Sequence, residues 1–317
     1  MVGIVILNFN TADDVISCVR SIKEKTATEY KIYIVDNGST DGSYEKLFNI
    51  FSDDADIDLT RSDVNGGFSA GNNIGIKRAV KDGCEYICII NADILLINDA
   101  ITVLENKLKE NADLGVATPS IASPDSDEES QFARYKLTFE NFLAEKTFLR
   151  NCKRFCKKYP RYAKSEEKFD EDYVFFGMTY GCMYIVRADF LVKADYLDEA
   201  VFLFNEEDIL AYKLERYGLK TLISPDAKVL HNHHSSIKKT SFANRIYNFR
   251  VSELIVLRRY DGVSMIKLMP IIWVFKLSWA LKSLKYDDYK RLKKKFFTAM
   301  NGIKKIKKRE GLEELAE

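Results

Sequence analysis

Apolar runs that end in polar side chains alternate with helix-like segments over the first third of the chain. Residues 2–9, 31–36 and 86–93 are rich in Val, Ile and Tyr, which is typical of strands buried on both faces of a parallel sheet. Between these runs, apolar residues recur at helical spacing, and Thr11 offers a helix cap. Strict alternation of strands and helices predicts an α/β fold with a mostly parallel sheet.

Ligand-binding residues are expected where these strands end, because the carboxyl ends of parallel strands lie along one edge of a sheet. Residues 86–93 end in Asn91-Ala92-Asp93, and the last carboxylate is a candidate ligand for a divalent cation. Residues 64–75 contain four glycines and three asparagines, so that their backbone amides can approach a phosphate or a sugar closely. The segment lacks the spacing of a dinucleotide-binding or Walker loop, and a glycine-rich turn without a ligand is the alternative.

Acidic and histidine residues cluster at two further places. Glu206, Glu207 and Asp208 follow a strand-like apolar stretch at 201–204 and open a predicted helix. Acids favour helix N-termini for electrostatic reasons alone, so a well-capped helix is the alternative to a catalytic cluster. All three histidines lie within residues 231–234, after predicted strands at 221–224 and 228–230, which favours a metal ligand over core packing.

The middle of the chain shows no clear strand pattern. Residues 119–130 are rich in Pro, Ser and Asp and predict a loop. Residues 132–172 are charged and do not alternate, which predicts a helical insertion over the site.

Cysteine usage and charge indicate the compartment and the neighbours of the protein. The six cysteines include no C-x-x-C motif, and an apolar run follows Met1 directly, so we expect a reducing cytoplasm. Residues 285–309 carry eleven Lys or Arg and two Asp, a net charge of +9, whereas the whole chain carries +1. A basic tail on an acidic body predicts a polyanionic surface as neighbour.

The basic tail has two apolar segments. Residues 265–284 are too often interrupted to form a transmembrane helix, by Lys267, Pro270, Lys276 and Lys282. The next segment places apolar residues at helical spacing among lysines, at Leu292, Phe296, Met300 and Ile303. This pattern predicts a helix on an anionic bilayer; packing on the catalytic domain or on a dimer partner is the alternative.

The order and spacing of these motifs resemble the family 2 glycosyltransferases of the GT-A fold, especially the bacterial rhamnosyltransferase-like branch that builds cell-surface polysaccharides. The similar segments are VILNFN at 5–10, VDNGSTD at 35–41, NGGFSAGNN at 65–73, NAD at 91–93, GCMYIVR at 181–187, the acids at 206–208 and His231. The resemblance implies a GT-A domain over residues 1–240, with a Rossmann-like mixed, mostly parallel sheet flanked by helices. We expect this domain to contain an insertion at about 120–176 and to be followed by a C-terminal helical extension over 241–317.

The resemblance also implies roles for single residues. Asp93, His231 and His233 would hold Mg²⁺ or Mn²⁺ against a diphosphate, since such hard cations prefer oxygen ligands. Asn91 stands where the D-x-D motif of the family begins with Asp. The residues expected to contact the donor are Asn8, Asn10, Asp36, Asn37, Asn65, Gly67, Asn73, Asn91 and Ala92.

In inverting members of the family, an acid accepts the proton of the acceptor hydroxyl. The family motif reads Glu-Asp, and an ungapped alignment through Gly218 and His231 places Glu206 and Glu207 on it. Glu207 is therefore the expected base. Alignment on the letters alone selects Glu207 and Asp208 instead, and Asp208 stays an alternative.

The implied reaction is sugar transfer from a nucleotide-diphosphate sugar, UDP- or dTDP-linked rather than GDP-linked, to a glycan or lipid-linked acceptor. The expected location is cytoplasmic and peripheral, on the anionic inner face of the plasma membrane, with a homodimer as a further option and no nucleic-acid partner. Asn91 and the shifted acids leave a catalytically inactive nucleotide-sugar binding module as the alternative function. A nucleotidyltransferase would need a Gly-rich, basic loop after the first strand, which residues 8–11 do not provide.

Overall fold

The computed structural model describes residues 1–124, 126–232 and 241–307. Its first part alternates strands and helices in the predicted order. The elements are β1 (Val2–Asn8), α1 (Ala12–Lys25), β2 (Tyr30–Asp36), α2 (Ser43–Phe51), β3 (Ile57–Arg61), α3 (Phe68–Lys81), β4 (Tyr86–Asn91), β5 (Ile94–Leu96), α4 (Ala100–Glu110) and β6 (Leu114–Ser123). The predicted strand at 86–93 ends at Asn91, so that Asp93 lies in the turn between β4 and β5.

The middle of the chain contains more strand than the sequence predicted. Its elements are β7 (Ser126–Arg134), α5 (Phe139–Lys146), a 3₁₀ turn (Phe148–Asn151), α6 (Lys153–Lys158), β8 (Tyr162–Glu167), β9 (Tyr173–Phe175), β10 (Met183–Arg187), α7 (Ala188–Lys193), α8 (Glu206–Arg216) and β11 (Lys220–His231). The predicted loop at 119–130 is therefore wrong, and the insertion predicted as helical at 132–172 is helical only in its middle part, from α5 to α6. Pairing of β7 with both β6 and β8 overrides the local turn-like composition.

Two further strand predictions need correction. Residues 201–205 form no strand, because Phe204 and Asn205 adopt left-handed backbone conformations with φ of 71° and 62°. The two strands predicted on either side of Pro225 are one strand, β11. The register of β11 against β6 shifts between Ser224 and Lys228, as expected where a bulge absorbs the turn-forming residues.

The eleven strands of the described residues form a mixed sheet whose central strands are mostly parallel, as predicted. The strand order is β3-β2-β1-β4-β10-β6-β11-β5, with β7 and β8 extending from β6 and β9 pairing with β11. β10 is antiparallel to both β4 and β6. Parallel register places Asn8 opposite Asp36 and Leu7 opposite Asn91, so the carboxyl ends of β1, β2 and β4 share one edge of the sheet.

Helices cover both faces of this sheet. On one face, buried residues of β1 and β4 such as Ile6 and Ile90 pack against α1, α2 and α4. On the other face, Val5 and Ile89 pack against α3, α7 and α8. This layered arrangement buries both faces of the central strands and leaves their carboxyl ends for a ligand.

The predicted C-terminal helical extension is present, as α9 (Phe242–Arg259), α10 (Met265–Lys285), α11 (Asp287–Gly302) and a 3₁₀ turn (Ile303–Lys305). These helices share one apolar cluster with α5 and α8, in which Trp279 stacks on Phe296 with ring centroids 4.0 Å apart. The apolar residues of α11 lie in this cluster, so they do not face a bilayer: Leu292, Phe296, Met300 and the following Ile303. No helix within the described ranges is long and apolar enough to cross a membrane.

Candidate active site

Polar side chains at the ends of β1 and β2 hold the loop that follows β2. The Asn8 amide donates hydrogen bonds to Asp36 Oδ2 (2.6 Å) and Ser39 Oγ (3.1 Å), and the Ser39 N–H donates to Asp36 Oδ1 (3.0 Å). Asn10, with φ of 59°, accepts a hydrogen bond from the Thr40 N–H (2.9 Å). Asn8 and Asp36 are fully buried, and these contacts shape the loop that the donor is predicted to meet.

Asn37 connects this edge to the glycine-rich loop. Its Nδ2 donates to Asn65 Oδ1 and to the Gly67 carbonyl, both at 3.1 Å, and its Oδ1 accepts from the Gly66 N–H at 3.1 Å. Gly67 has φ of 90°, and a Cβ there would lie 2.4 Å from the carbonyl oxygen of Phe202. Only glycine allows this approach, which brings the loop against the segment that precedes α8.

Asn73 makes its hydrogen bonds within the protein. Its Nδ2 donates to the Leu197 carbonyl and to Glu199 Oε1, both at 2.8 Å, and its Oδ1 accepts from the Leu197 N–H at 3.0 Å. The side chain is buried. Asn73 therefore links α3 to residues 197–199, and its contact with a donor stays a prediction.

Asp93 and His231 meet, although they lie far apart in the sequence. β5 pairs with β11, and this places His231 Nε2 3.4 Å from Asp93 Oδ2. The Asn232 N–H donates to the Asp93 carbonyl (2.8 Å), which holds the turn between β4 and β5 against the end of β11. His233 lies outside the described residues.

The Asp93 and His231 pair suits a cation that is shared with a ligand. Mg²⁺ usually keeps several waters and binds one or two protein carboxylates together with substrate phosphates. In the part of the chain that the structure describes, no group of three or more His, Cys, Asp or Glu side chains forms an all-protein cage. One carboxylate and one imidazole fit a metal whose other ligands come from a diphosphate and water.

The three acids at the start of α8 have different surroundings. Asp208 is 1% exposed, and both of its oxygens accept hydrogen bonds from Arg161 Nη2 at 2.8 Å. Arg134 Nη2 lies 3.6 Å from the same carboxylate. Asp208 is therefore held in a buried ion pair, with little exposure to solvent.

Glu207 is more accessible than Asp208, since its side chain is 20% exposed. Burial raises its pKa, whereas the charge of Arg134, 3.7 Å away, and the hydrogen bond from the Gly181 N–H lower it. A Cβ at Gly181 would lie 2.5 Å from Glu207 Oε1, so the absent side chain at 181 makes room for this carboxylate. Of the two alternatives for the base, the geometry favours Glu207 over Asp208.

Glu206 is suited to stay neutral. Burial and the neighbouring charge of Glu207 raise its pKa well above the usual value. Its Oε2 is buried and has no hydrogen-bond partner among the described residues. A protonated Glu206 reduces charge repulsion beside Glu207.

Gly181 and Cys182 join the two parts of the site. The Asn91 N–H donates to the Cys182 carbonyl (2.8 Å), while the Gly181 N–H is bonded to Glu207. Burial, with smaller contributions from the charges of Asp93 and Glu207, raises the pKa of the Cys182 thiol to about 12. Asn91, which precedes the predicted metal ligand Asp93 by two residues, and Glu207, the predicted base, are therefore bonded to two consecutive residues.

Several residues that shape the acidic cluster had no role in the sequence prediction. Arg134 and Arg161 come from the insertion, and Ser252 of α9 accepts a hydrogen bond from Asn205 (2.8 Å), the residue before the three acids. Gly181 lies in a recognised motif, but its contact with Glu207 depends on the tertiary structure. No local pattern distinguishes these arginines from the other basic residues of the chain.

Residues 3–192 match the family model described as Glycosyl transferase family 2, which is more than half of the chain. The chain therefore belongs to glycosyl transferase family 2.

Two curated relatives are similar over 110 residues, or 35% of this chain. Glycosyltransferase GlyG of Streptococcus pneumoniae serotype 4 is 29% identical there, and the alignment covers 36% of that protein. Poly-beta-1,6-N-acetyl-D-glucosamine synthase of Staphylococcus epidermidis is 28% identical, with 26% of its length covered. These relatives are much longer than the shared segment.

The fold is similar to that of GalNAc-T7, whose crystal structure contains UDP, GalNAc and Mn²⁺. The TM-score is 0.55 at 15% sequence identity, and the match covers 79% of this chain and 48% of that one. The similarity confirms the predicted GT-A fold.

Proposed function

We propose that the chain transfers a sugar from a nucleotide-diphosphate sugar to a glycan hydroxyl in the synthesis of a cell-surface polysaccharide, with inversion at the anomeric carbon. The observation that carries this proposal is that two candidate metal ligands, Asp93 and His231, lie close to a partly exposed acid, Glu207. The two parts are linked because Asn91 bonds Cys182 and Glu207 bonds the neighbouring Gly181. Family membership and the similarity to a polysaccharide synthase support the same class of reaction. The motif resemblance makes rhamnose one of the sugars to test.

Each part of the site has a role in the proposed reaction. The loops held by Asn8 and Asn37 bind the nucleotide. A Mg²⁺ or Mn²⁺ ion held by Asp93 and His231, with His233 as a further candidate ligand, would neutralise the leaving diphosphate. Glu207 accepts the proton of the acceptor hydroxyl while its oxygen attacks the anomeric carbon, and the bond from that carbon to the diphosphate oxygen breaks.

The acceptor and the location of the enzyme are part of this proposal. We expect a lipid-linked glycan acceptor and a peripheral position on the inner face of the plasma membrane. The net charge of +9 over residues 285–309 supports an anionic surface as neighbour.

A thermal-shift screen of UDP-, dTDP- and GDP-sugars, with and without Mn²⁺, tests donor binding. A ligand that binds only the folded state raises the melting temperature, so a UDP- or dTDP-sugar with Mn²⁺ should give the largest increase. Asp93→Asn should lose the Mn²⁺-dependent part of that increase. If no nucleotide sugar stabilises the chain under any condition, the proposed function is wrong.

A catalytically inactive nucleotide-sugar binding module is the second candidate. It is favoured by Asn91, which stands where the family motif has an acid, and by the Glu-Glu pair in place of Glu-Asp. Thermal stabilisation by a donor, without release of nucleoside diphosphate in the presence of acceptor sugars, would support it. Metal-dependent turnover would exclude it.

A further inference from the structure

The outward face of α10 is apolar along its whole length. Its large side chains are 50–83% exposed, at Ile266, Met269, Trp273, Leu277, Leu281 and Leu284. With 3.6 residues per turn, these positions fall on one stripe of the helix. Contiguous exposed apolar surface of this kind marks an interaction site.

The opposite face attaches α10 to the rest of the protein. Leu268, Ile272 and Trp279 are buried in the cluster that α10 shares with α9 and α11. The Trp279 indole N–H donates a hydrogen bond to the Tyr289 carbonyl (3.0 Å), and its ring stacks on Phe296. The helix therefore needs only one of its faces to pack on the protein.

The borders of the apolar stripe are basic. Residues 262–286 include no Asp or Glu, and helical spacing places Lys276 on one border and Lys267 and Lys285 on the other. The following helix adds exposed cations at Lys290, Arg291, Lys293, Lys294 and Lys295. An apolar stripe between cations is complementary to the headgroups and acyl chains of an anionic bilayer.

A second copy of the chain is a poorer occupant of this face. In a two-fold symmetric dimer the same surface meets itself, so the lysines that border the stripe of α10 would approach the same lysines of the second copy. Like charges in an interface oppose association. The charge pattern therefore selects lipid over a second chain.

We propose that α10 lies in the interface of an anionic membrane and docks the protein there through its exposed apolar stripe. At 21 residues, a helix lying flat would contact the surface over about 30 Å. The membrane-facing helix is thus α10, whereas the apolar side of α11 holds α10 in place. Docking is inferred from the exposed face of α10. Only the link between docking and a lipid-linked acceptor rests on the proposed function.

The docking face belongs to the same packed unit as the catalytic acids. The cluster beneath α10 includes two residues of α8, Ile209 directly after the three acids and Tyr212 one turn beyond them. Ser252 of α9 holds Asn205 at the start of α8. A membrane contact on α10 would therefore fix the position of the acidic cluster relative to a lipid-anchored acceptor.

Co-sedimentation of the full chain with vesicles tests the proposal. We expect binding to phosphatidylcholine vesicles that contain phosphatidylglycerol. The affinity should be lower by roughly tenfold or more for vesicles of phosphatidylcholine alone, and also for the mixed vesicles at high salt. Binding should also shift the emission of Trp273, which is 68% exposed, to shorter wavelength. Trp273→Phe should keep the binding and lose the shift, because Trp279 is buried.

The double variant Trp273→Ser/Leu277→Ser tests the stripe directly. Both side chains are exposed, so the fold should be retained while the affinity for anionic vesicles falls by roughly tenfold or more. Phe48→Ser, which removes an exposed aromatic ring from α2, is the matched control and should bind as the wild type does.

Three results would overturn the proposal. They are absence of binding of the wild type to anionic vesicles, unchanged binding of the double variant, and a lipid-free dimer in sedimentation velocity that the double variant dissociates. Transfer to a soluble acceptor is measured separately. Vesicle binding without transfer would leave docking intact and contradict only the proposed function.

Discussion

The edge of the sheet that is predicted to bind the donor (the donor edge) and the acidic start of α8 are built in different ways. At the donor edge, the hydrogen bonds join residues of the first strands and the loops that follow them. Asn8 bonds Asp36, and Asn37 bonds Asn65. At the start of α8, the partners of the acids come from the insertion and from the approach to β10, and Ser252 of α9 bonds Asn205, the residue before them. One half of the site is specified locally, and the other half forms only when distant segments meet.

The difference is also one of charge. The donor edge is held by amides, hydroxyls and one carboxylate, whereas the α8 cluster brings three carboxylates against Arg134 and Arg161. Burial makes each of these charges costly unless it is paired or protonated. The three acids are consequently unequal: Asp208 is paired, Glu206 has a strongly raised pKa, and Glu207 is partly exposed.

The largest effect is expected at Glu207, the proposed general base. Glu207→Gln keeps the shape of the side chain and removes its basic oxygen, so kcat should fall by about 10²–10⁴-fold, the usual contribution of a general base. Steady-state release of nucleoside diphosphate measures this. The matched control is Glu215→Gln, on the same helix but exposed and paired with Lys136, which should keep kcat.

If Glu207→Gln keeps kcat within about threefold of wild type, Glu207 is not the general base, whose loss should cost at least about 10²-fold. The inequality of the three acids would then need another explanation.

The second prediction concerns the buried ion pair. Arg161→Met leaves the Asp208 carboxylate buried without its main partner, so the free energy of unfolding should fall by about 3–5 kcal/mol. Denaturant titration followed by circular dichroism measures it. Because an apolar pair of similar volume is often as stable as a buried ion pair, Arg161→Met/Asp208→Leu should recover most of the loss.

A loss below about 1 kcal/mol for Arg161→Met would be typical of an exposed pair, and it would contradict the buried, structural role of Asp208.

The same contrast explains what the sequence could predict of the fold. The elements β1 to β4 were predicted because their burial and periodicity are local properties of the chain. The strands β7 and β8 were missed because their stability comes from pairing with each other and with β6. In the tail, α10 and α11 both carry apolar stripes, and which stripe stays exposed depends on how these helices pack, as Trp279 does on Phe296.

The site follows this division as well. Asp93, His231 and Glu207 were candidates because each lies where an apolar strand or stretch ends in polar residues. Arg134 and Arg161 could not be distinguished among 48 Lys and Arg residues, because their role depends on where the insertion folds back. The pairing of Asp208 with Arg161, which favours Glu207 as the predicted base, likewise could not be read from the sequence.

The third prediction tests the close contact at Gly181. Its backbone does not have positive φ, so Gly181→Ala adds only a methyl group, placed 2.5 Å from Glu207 Oε1. The carboxylate must move by roughly 1 Å, and a displacement of that size can reduce kcat by about 100-fold. Kinetics should show little change in KM for the donor.

Gly302→Ala, whose added methyl meets no atom within 4 Å, is the control for the effect of a glycine substitution itself. Equal kcat in Gly181→Ala and wild type would show that Glu207 tolerates displacement, which a general base should not.

The last and smallest effect is a change in pH dependence. Burial raises the pKa of Glu207, and Arg134 lowers it. Only the deprotonated base accepts a proton, so kcat/KM falls as pH drops through this pKa. Arg134→Met removes the lowering contribution, and the acidic limb should therefore move to higher pH. Arg134→Lys keeps the positive charge and should leave the limb near its wild-type position.

The pH dependence of stability gives an independent measure of how Arg134 affects the pKa of Glu207. The folded-state pKa of Glu207 lies above its unfolded value, so its contribution to stability is complete below the unfolded pKa and is lost as pH rises through the folded pKa. Arg134→Met should extend this decline to higher pH, as measured by denaturant titration across pH. An acidic limb that stays in place in Arg134→Met, or moves to lower pH, would show that the insertion does not tune the base, and the two halves of the site would then be electrostatically independent.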